Sequence, residues 1–185
     1  TPNGDRILFG LSAVRNLGDG AIRQLIAVRD SDGPFRSLAD LCDRIPSSVL
    51  NRRGLESLIH CGALDAMDPQ ANRAQLMADL DLLLDWASSR AKDRDSGQGN
   101  LFDLMAPASE DDAPADLSHA PKAAPVPDYP PTEKLRLEKD LVGFYLSDHP
   151  LKQLTPSSKL LAPIGLGSLE EQPDKAKVSA IAMVA

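Results

Sequence analysis

The chain has 185 residues, 42 % hydrophobic and 4 % aromatic, so any core rests on Leu, Ile, Val and Ala within one or two small domains. Its formal charge of −7, from 20 Lys/Arg against 27 Asp/Glu, argues against a broad basic stripe for nucleic acid. The sequence contains no run of about 18 apolar residues and no signal peptide, so we expect a soluble, cytoplasmic chain with no membrane partner.

The first organised stretch is Leu17-Gly18-Asp19-Gly20. Phe9, Ala13, Val14 and Leu17 precede it, and Ile22, Leu25 and Ile26 follow at the spacing of a buried helical face. This predicts helix, tight glycine turn, helix over residues 1–29. The glycines suit a turn that needs positive φ and leaves backbone amides uncovered. A second helix starting near Ala21 presents unpaired N–H groups and the positive end of its dipole, where a phosphate oxygen fits. Arg15 and Arg23 flank the spot and can add charge-assisted contacts. The pattern is that of a helix-hairpin-helix DNA-binding motif. The bland alternative is a helical hairpin whose glycines only cap and turn. Residues 1–60 carry eight Lys/Arg and seven Asp/Glu, the least acidic large block of the chain. A DNA contact here would be small and made mostly by backbone amides.

Asp30-Ser31-Asp32-Gly33-Pro34 reads as a turn. Ser37 then caps a helix, with Asp40 in a variant capping box and Leu38, Leu41, Cys42 and Ile45 on one face up to Pro46. A further helix buries Leu55, Leu58 and Ile59 and stops at Gly62, which fits the left-handed C′ position. Asn72 caps a long helix with Leu76, Leu80, Leu83 and Leu84 on its inner face and Trp86 near its far end. The turn at Gly62 makes a second helix–turn–helix with one glycine in place of two; Gly62 is a doubtful phosphate contact and leans towards a structural role. Cys42 and Cys61 read as buried free thiols, and His60, His119 and His149 have no metal spacing.

Polarity rises from Ser88 to Asp95, and Gln98-Gly99-Asn100-Leu101-Phe102 follows. The tract 106–131 holds seven of the fifteen prolines with Ala and acid, too few apolar anchors to offset ordering, so it reads as a flexible linker. Leu101 and Phe102 beside it are an apolar pair in want of a partner. A helix returns from Pro131 to Leu146, with Thr132 as its cap and Leu137, Leu141, Phe144 and Tyr145 on one face. His149 reads as a helix-end residue beside Pro150 and not as a catalytic base. Residues 177–184 read as a strand with nothing to pair with, the start of a further β domain.

Three blocks carry a family resemblance. The stretch Phe9 to Ile22, containing Val14-Arg15-Asn16-Leu17-Gly18-Asp19-Gly20-Ala21, resembles the first hairpin of the bacterial replicative polymerase III alpha-subunit family. Leu55 to Asp65 and Glu138 to Leu151 resemble later blocks of that family in the same order. The resemblance implies a mainly α tandem helix-hairpin-helix domain over 1–95, a clamp-binding segment over 96–105 and the linker over 106–131. A helix closing the domain over 132–151 and the start of an oligonucleotide-binding (OB) barrel over 160–185 complete it. It implies duplex DNA, a sliding clamp, other polymerase domains and replisome subunits as partners. Gln98-Gly99-Asn100-Leu101-Phe102 matches the family's clamp-binding pentapeptide. The candidate DNA contacts are Arg15, Leu17, Gly18, Asp19, Gly20, Ala21, Arg23 and Gly62. The parent enzyme's metal-binding palm aspartates match nothing in this chain, so we assign it no catalytic residue, metal or cofactor; magnesium belongs with the palm. Two other readings compete: a hairpin module of a different DNA-processing protein, and a helical protein-interaction domain without DNA, which the acidic balance suits.

Overall fold

The computed structural model describes residues 2–3, 6–7, 9–67, 72–95, 117–150, 152, 164, 166–168 and 171–179. Five α-helices appear among them: α1 (Asp19–Asp32), α2 (Leu38–Arg44), α3 (Arg52–His60), α4 (Arg73–Asp95) and α5 (Pro131–Val142). A two-residue antiparallel ladder joins β1 (Pro2–Asn3) to β2 (Arg6–Ile7), with Pro2 opposite Ile7. Among the described residues of 160–185 none is in a strand; 160–163, 165, 169–170 and 180–185, and with them most of the expected strand, lie outside the described residues.

The core is aliphatic. Leu41, Leu50, Leu55, Leu58, Ile59 and Leu80 are almost wholly buried where α2 and α3 lie against α4, and Leu25 joins from α1. Burying a leucine of this kind stabilises by roughly 1.5–3 kcal/mol, so this cluster is what holds the four helices together. Cys42 and Cys61 are buried free thiols, and burial in the core pushes the Cys42 thiol up to about 12.

Local signals set most helix ends. The Ser37 hydroxyl accepts from the Asp40 N–H at 3.1 Å, while the Asp40 carboxylate accepts from the Arg36 N–H at 2.9 Å, a capping box displaced by one residue. Asn72 Oδ1 accepts from the Gln75 N–H at 2.6 Å at the start of α4. Asp30, Ser31 and Asp32, read above as a turn, are the last residues of α1; the chain turns at Gly33, where φ is 82°. Arg44 holds that end, donating to the carbonyls of Val28 and Gly33 at 2.9 Å each.

Three expectations need larger corrections. First, no α-helix precedes the glycine turn among the described residues; Leu11–Ala13 is a single 3-10 turn, and Val14 is extended. Second, the supposed flexible linker has a fixed course over 117–130. It runs antiparallel to α4 as a strap, because polar side chains of α4 satisfy its backbone. The Ala123 N–H donates to Asp79 Oδ1 at 2.7 Å and the Val126 N–H to Gln75 Oε1 at 2.9 Å. Asn72 Nδ2 donates to the Val126 carbonyl at 3.0 Å, and Ala120 packs on the core. Residues 106–116 lie outside the described residues. Third, α5 starts with Pro131 at N1 and not with a Thr132 cap, and it stops at Val142 because Gly143 takes φ 89°. Its buried residues are Leu135, Glu138 and Val142, so Phe144 and Tyr145 lie beyond the helix and Phe144 is exposed.

Candidate nucleic-acid interface

The turn ahead of α1 is held by two other helices. The Arg15 N–H donates to the Leu141 carbonyl on α5 at 2.9 Å. Asn16 takes the left-handed conformation at φ 66°, and its side-chain Nδ2 donates to Ser57 Oγ on α3 at 3.1 Å. Asn tolerates that region better than most residues, so the positive φ expected of a glycine falls on Asn16. Leu17 then packs beside Gly54: a Cβ added at Gly54 would lie 3.5 Å from Leu17 Cδ1 and 2.8 Å from Leu50 Cδ1. The tight neighbour at Gly54 is Leu50, while Leu17 of the turn would meet an added Cβ at ordinary van der Waals distance. The sequence reading above does not single out Asn16; its place two residues before a Gly-x-Gly is the signal that could have found it.

Gly18 and Gly20 therefore do something other than turn the chain. Gly18 is the N-cap of α1 with φ −81°, extended, and Gly20 stands inside the first turn of α1. The helix starts at Asp19, two residues earlier than expected. No side chain caps it, and the first intrahelical bond runs from the Ile22 N–H to the Gly18 carbonyl at 3.1 Å. The N–H groups of Asp19, Gly20 and Ala21 are thus left without intrahelical acceptors. A Cβ built on Gly18 or Gly20 meets nothing within 4 Å. The glycines leave the amides open from outside. Arg15 and Arg23 are exposed, and neither guanidinium has an ion-pair partner among the described residues. Asp19 shares the same first turn; its carboxylate suits the helix dipole but works against an anionic guest.

Gly62 sits in a different setting. It has φ 80°, the Gly62 N–H donates to the Ile59 carbonyl and the Ala63 N–H to the Leu58 carbonyl, each at 3.0 Å. This is a Schellman cap on α3, with glycine at C′ as expected. Over it lies the guanidinium of Arg73, which is 5 % exposed and donates to Asp65 at 2.7 Å and to the His60 carbonyl at 3.1 Å. A Cβ on Gly62 would stand 2.2 Å from Arg73 Nη2. Arg73 Nη1 also forms an ion pair at 3.0 Å with Glu138 Oε1, and Glu138 is 0 % exposed. The other oxygen of Glu138 accepts from the Leu146 and Ser147 N–H groups at 3.0 and 2.9 Å. Burial alone would raise the Glu138 carboxyl, but the Ser147 and Leu146 donors together with Arg73 outweigh it and hold it below its ordinary value.

Gln98 to Phe102, the proposed clamp peptide, lies outside the described residues. Among the described residues no group of His, Cys, Asp and Glu is arranged to hold a metal ion, and no helix is long and apolar enough to cross a membrane.

A family model described as the helix-hairpin-helix motif matches residues 1–76, a span that takes in α1, α2 and α3 but only residues 73–76 of α4. The DNA polymerase III subunit alpha of Neisseria meningitidis serogroup B is 39 % identical over 173 residues, 93 % of this chain and 14 % of that protein. The protein of the same name from Thermus aquaticus is 38 % identical over 188 residues, 98 % of this chain and 14 % of its own length. That from Haemophilus influenzae is 35 % identical over 185 residues, 96 % of this chain and 15 % of its own. The chain thus spans 14–15 % of the length of these relatives. By its sequence it belongs to the DNA polymerase III alpha-subunit family, over a region that contains the helix-hairpin-helix motif.

Proposed function

We propose that this region grips duplex DNA for a replicative DNA-directed DNA polymerase and also carries the polymerase's attachment to its sliding clamp. The observation that supports the first half is the N-terminus of α1, where three backbone amides face outward past two glycines with no side chain over them. A phosphate oxygen accepts from the Asp19, Gly20 and Ala21 N–H groups, with Arg15 and Arg23 beside it and Leu17 seating the turn. Because the donors belong to the backbone and meet phosphate, the grip is indifferent to base sequence. With about two phosphates neutralised, log K should fall against log salt with a slope near −2. In this reading Gly62 serves the α3–α4 turn, and no phosphate is assigned to it.

The clamp half rests on the pentapeptide Gln98 to Phe102 and on the family resemblance. Leu101 and Phe102 enter an apolar pocket on the clamp while Gln98 bonds at its rim. Two such side chains bring roughly 3–6 kcal/mol of transfer energy, and ordering the segment removes a good part of it. The net is a bond on the order of micromolar, strengthened when DNA and clamp are held together.

Fluorescence anisotropy with a labelled duplex, read across a salt series, tests the first half. A strong preference for one sequence, or affinity independent of salt, overturns it. Capture on immobilised clamp tests the second: replacing Gln98, Leu101 and Phe102 by Ala together should abolish capture and leave duplex affinity unchanged. Capture at wild-type strength by the triple variant overturns the clamp assignment.

A further inference from the structure

Two adjacent arginines open α3, and they have opposite surroundings. Arg52 is committed: Arg52 Nε donates to Asp81 on α4 at 2.7 Å, and its Nη1 pairs with Glu56 one turn along. Arg53 is exposed and has no ion-pair partner among the described residues. Most other arginines on the helical domain do: Arg29, Arg36, Arg44, Arg73, Arg90 and Arg94 each face a carboxylate within 4.0 Å. The exceptions are Arg15, Arg23 and Arg53.

The packing of the turn ahead of α1 says which way Arg53 faces. That turn rests on α3 at two points, Ser57, which takes the Asn16 amide, and Gly54, which receives Leu17. At about 100° per residue, Arg53 lies about 40° around the helix from Ser57, and Arg52 about 140° away. Helical side chains lean towards the N-terminus, so Arg53 extends past the end of α3 on the side where Leu17 leads into Gly18. Unpaired arginines thus stand on the turn (Arg15), on α1 (Arg23) and at the start of α3 (Arg53), the elements that meet around the start of α1. Among the described residues of this acidic chain, the remaining helical arginines are paired with carboxylates and these three are not.

We infer that Arg53 is a further phosphate contact of the same duplex site, taking a phosphate next to the one held by the α1 amides. The inference rests on the duplex reading above and extends the site from one helix end to two helices. The free guanidinium, able to donate twice to one phosphate, suits this part.

Its test is a duplex titration of the full 185-residue chain over a salt series, comparing wild type with Arg53→Gln, Arg52→Gln and Gly20→Val. Each variant is first checked for an unchanged helical spectrum and melting curve; Arg53 has no internal partner to lose. Arg53→Gln should weaken binding about 3- to 10-fold at low salt and make the log–log salt slope shallower by about 1. Arg53→Lys should recover the slope and part of the affinity. Arg52→Gln, which removes the same charge from a paired site, should change both much less. If Arg53→Gln keeps wild-type affinity and slope while Gly20→Val loses binding, Arg53 is no contact and the duplex reading stands. If Arg52→Gln loses as much as Arg53→Gln, net charge and not position is being read, and the inference is overturned. Absence of wild-type binding even at low salt overturns the inference and the duplex reading together.

Discussion

The turn ahead of α1 and the turn between α3 and α4 both set a glycine beside a helix terminus, and they use it for opposite ends. At Gly18 and Gly20 an added Cβ would stand in open space, and neither residue has a positive φ. At Gly62 the φ is 80° and an added Cβ would lie 2.2 Å from a buried guanidinium. The first turn is open to a visitor; the second is sealed by its own protein. A glycine kept for access costs folding stability, since it loses more conformational freedom than any other residue. A glycine kept for a left-handed, crowded position supports folding and has nothing to offer a ligand. The two classes should separate in experiment: damage to the sealed turn lowers stability, and damage to the open turn lowers affinity.

The largest effect expected is at the foot of the sealed turn. Glu138→Ala leaves Arg73 buried with one carboxylate fewer and should cost about 3–5 kcal/mol in a denaturant titration; a loss below 1 kcal/mol would mean that Glu138 is not what seals the turn. The same group sets an acid limit. Its carboxyl is held below its ordinary value of 4.5 in the folded chain. Between the two values the unfolded chain binds more protons, so stability rises with pH there. The contribution of Glu138 is fully present above pH 4.5 and is lost as pH falls through the lower folded value. Glu138→Gln should remove that part of the acid slope, which a set of melts from neutral to acid pH can read.

Next in size is Gly62→Ala, at about 2–4 kcal/mol, combining the cost of a non-glycine residue at positive φ with displacement of Arg73. Per folded molecule, its duplex affinity should match wild type. A selective loss of affinity in a stable Gly62→Ala protein would erase the contrast between the two turns.

Gln75→Ala removes the acceptor that fixes Val126 and should cost about 1 kcal/mol, with faster amide exchange over 121–128 as the specific sign. Unchanged exchange there would show that the strap does not depend on this clip. The smallest stability effect, with the opposite sign, belongs to the open turn. Gly20→Ala should raise stability by about 0.5 kcal/mol because it removes a helical glycine, while duplex affinity falls as a methyl group enters the approach to the amides. A variant that is both more stable and equally tight would show that the space before Gly20 is not used.

What the sequence made legible is what neighbours along the chain decide. Ser37, Asn72 and Gly62 were readable as caps because each bonds or turns within three residues of itself, and Leu76, Leu80 and Leu83 showed their common face directly. What it hid depends on distant partners. Phe9, Ala13, Val14 and Leu17 have helical spacing, yet the backbone there is fixed by Leu141 on α5 and Ser57 on α3, so the chain is drawn out of a helix. The strap looked too polar and too rich in proline to be ordered, because its hydrogen-bond partners Asn72, Gln75 and Asp79 lie 44–54 residues away. Glu138 marked α5 as facing the wrong way: a pattern counted in apolar residues cannot see a carboxylate that is buried because an arginine meets it. At the candidate site the uncovered amides were legible from Gly18 and Gly20, but not that the positive φ falls on Asn16 or that the helix begins at Asp19.

The strap has a mechanical consequence. Because it lies antiparallel to α4, a force drawing Leu117 towards the Asp95 end of that helix acts along the strap's length. Such a force loads the clips at Asp79, Gln75 and Asn72 side by side, in shear, so that they must yield together. The same force at right angles to α4 would open them in turn, like a zipper, from Ala123 to Val126. A load that reaches the strap at Leu117 therefore meets its strongest resistance along the axis of α4 and its weakest across it.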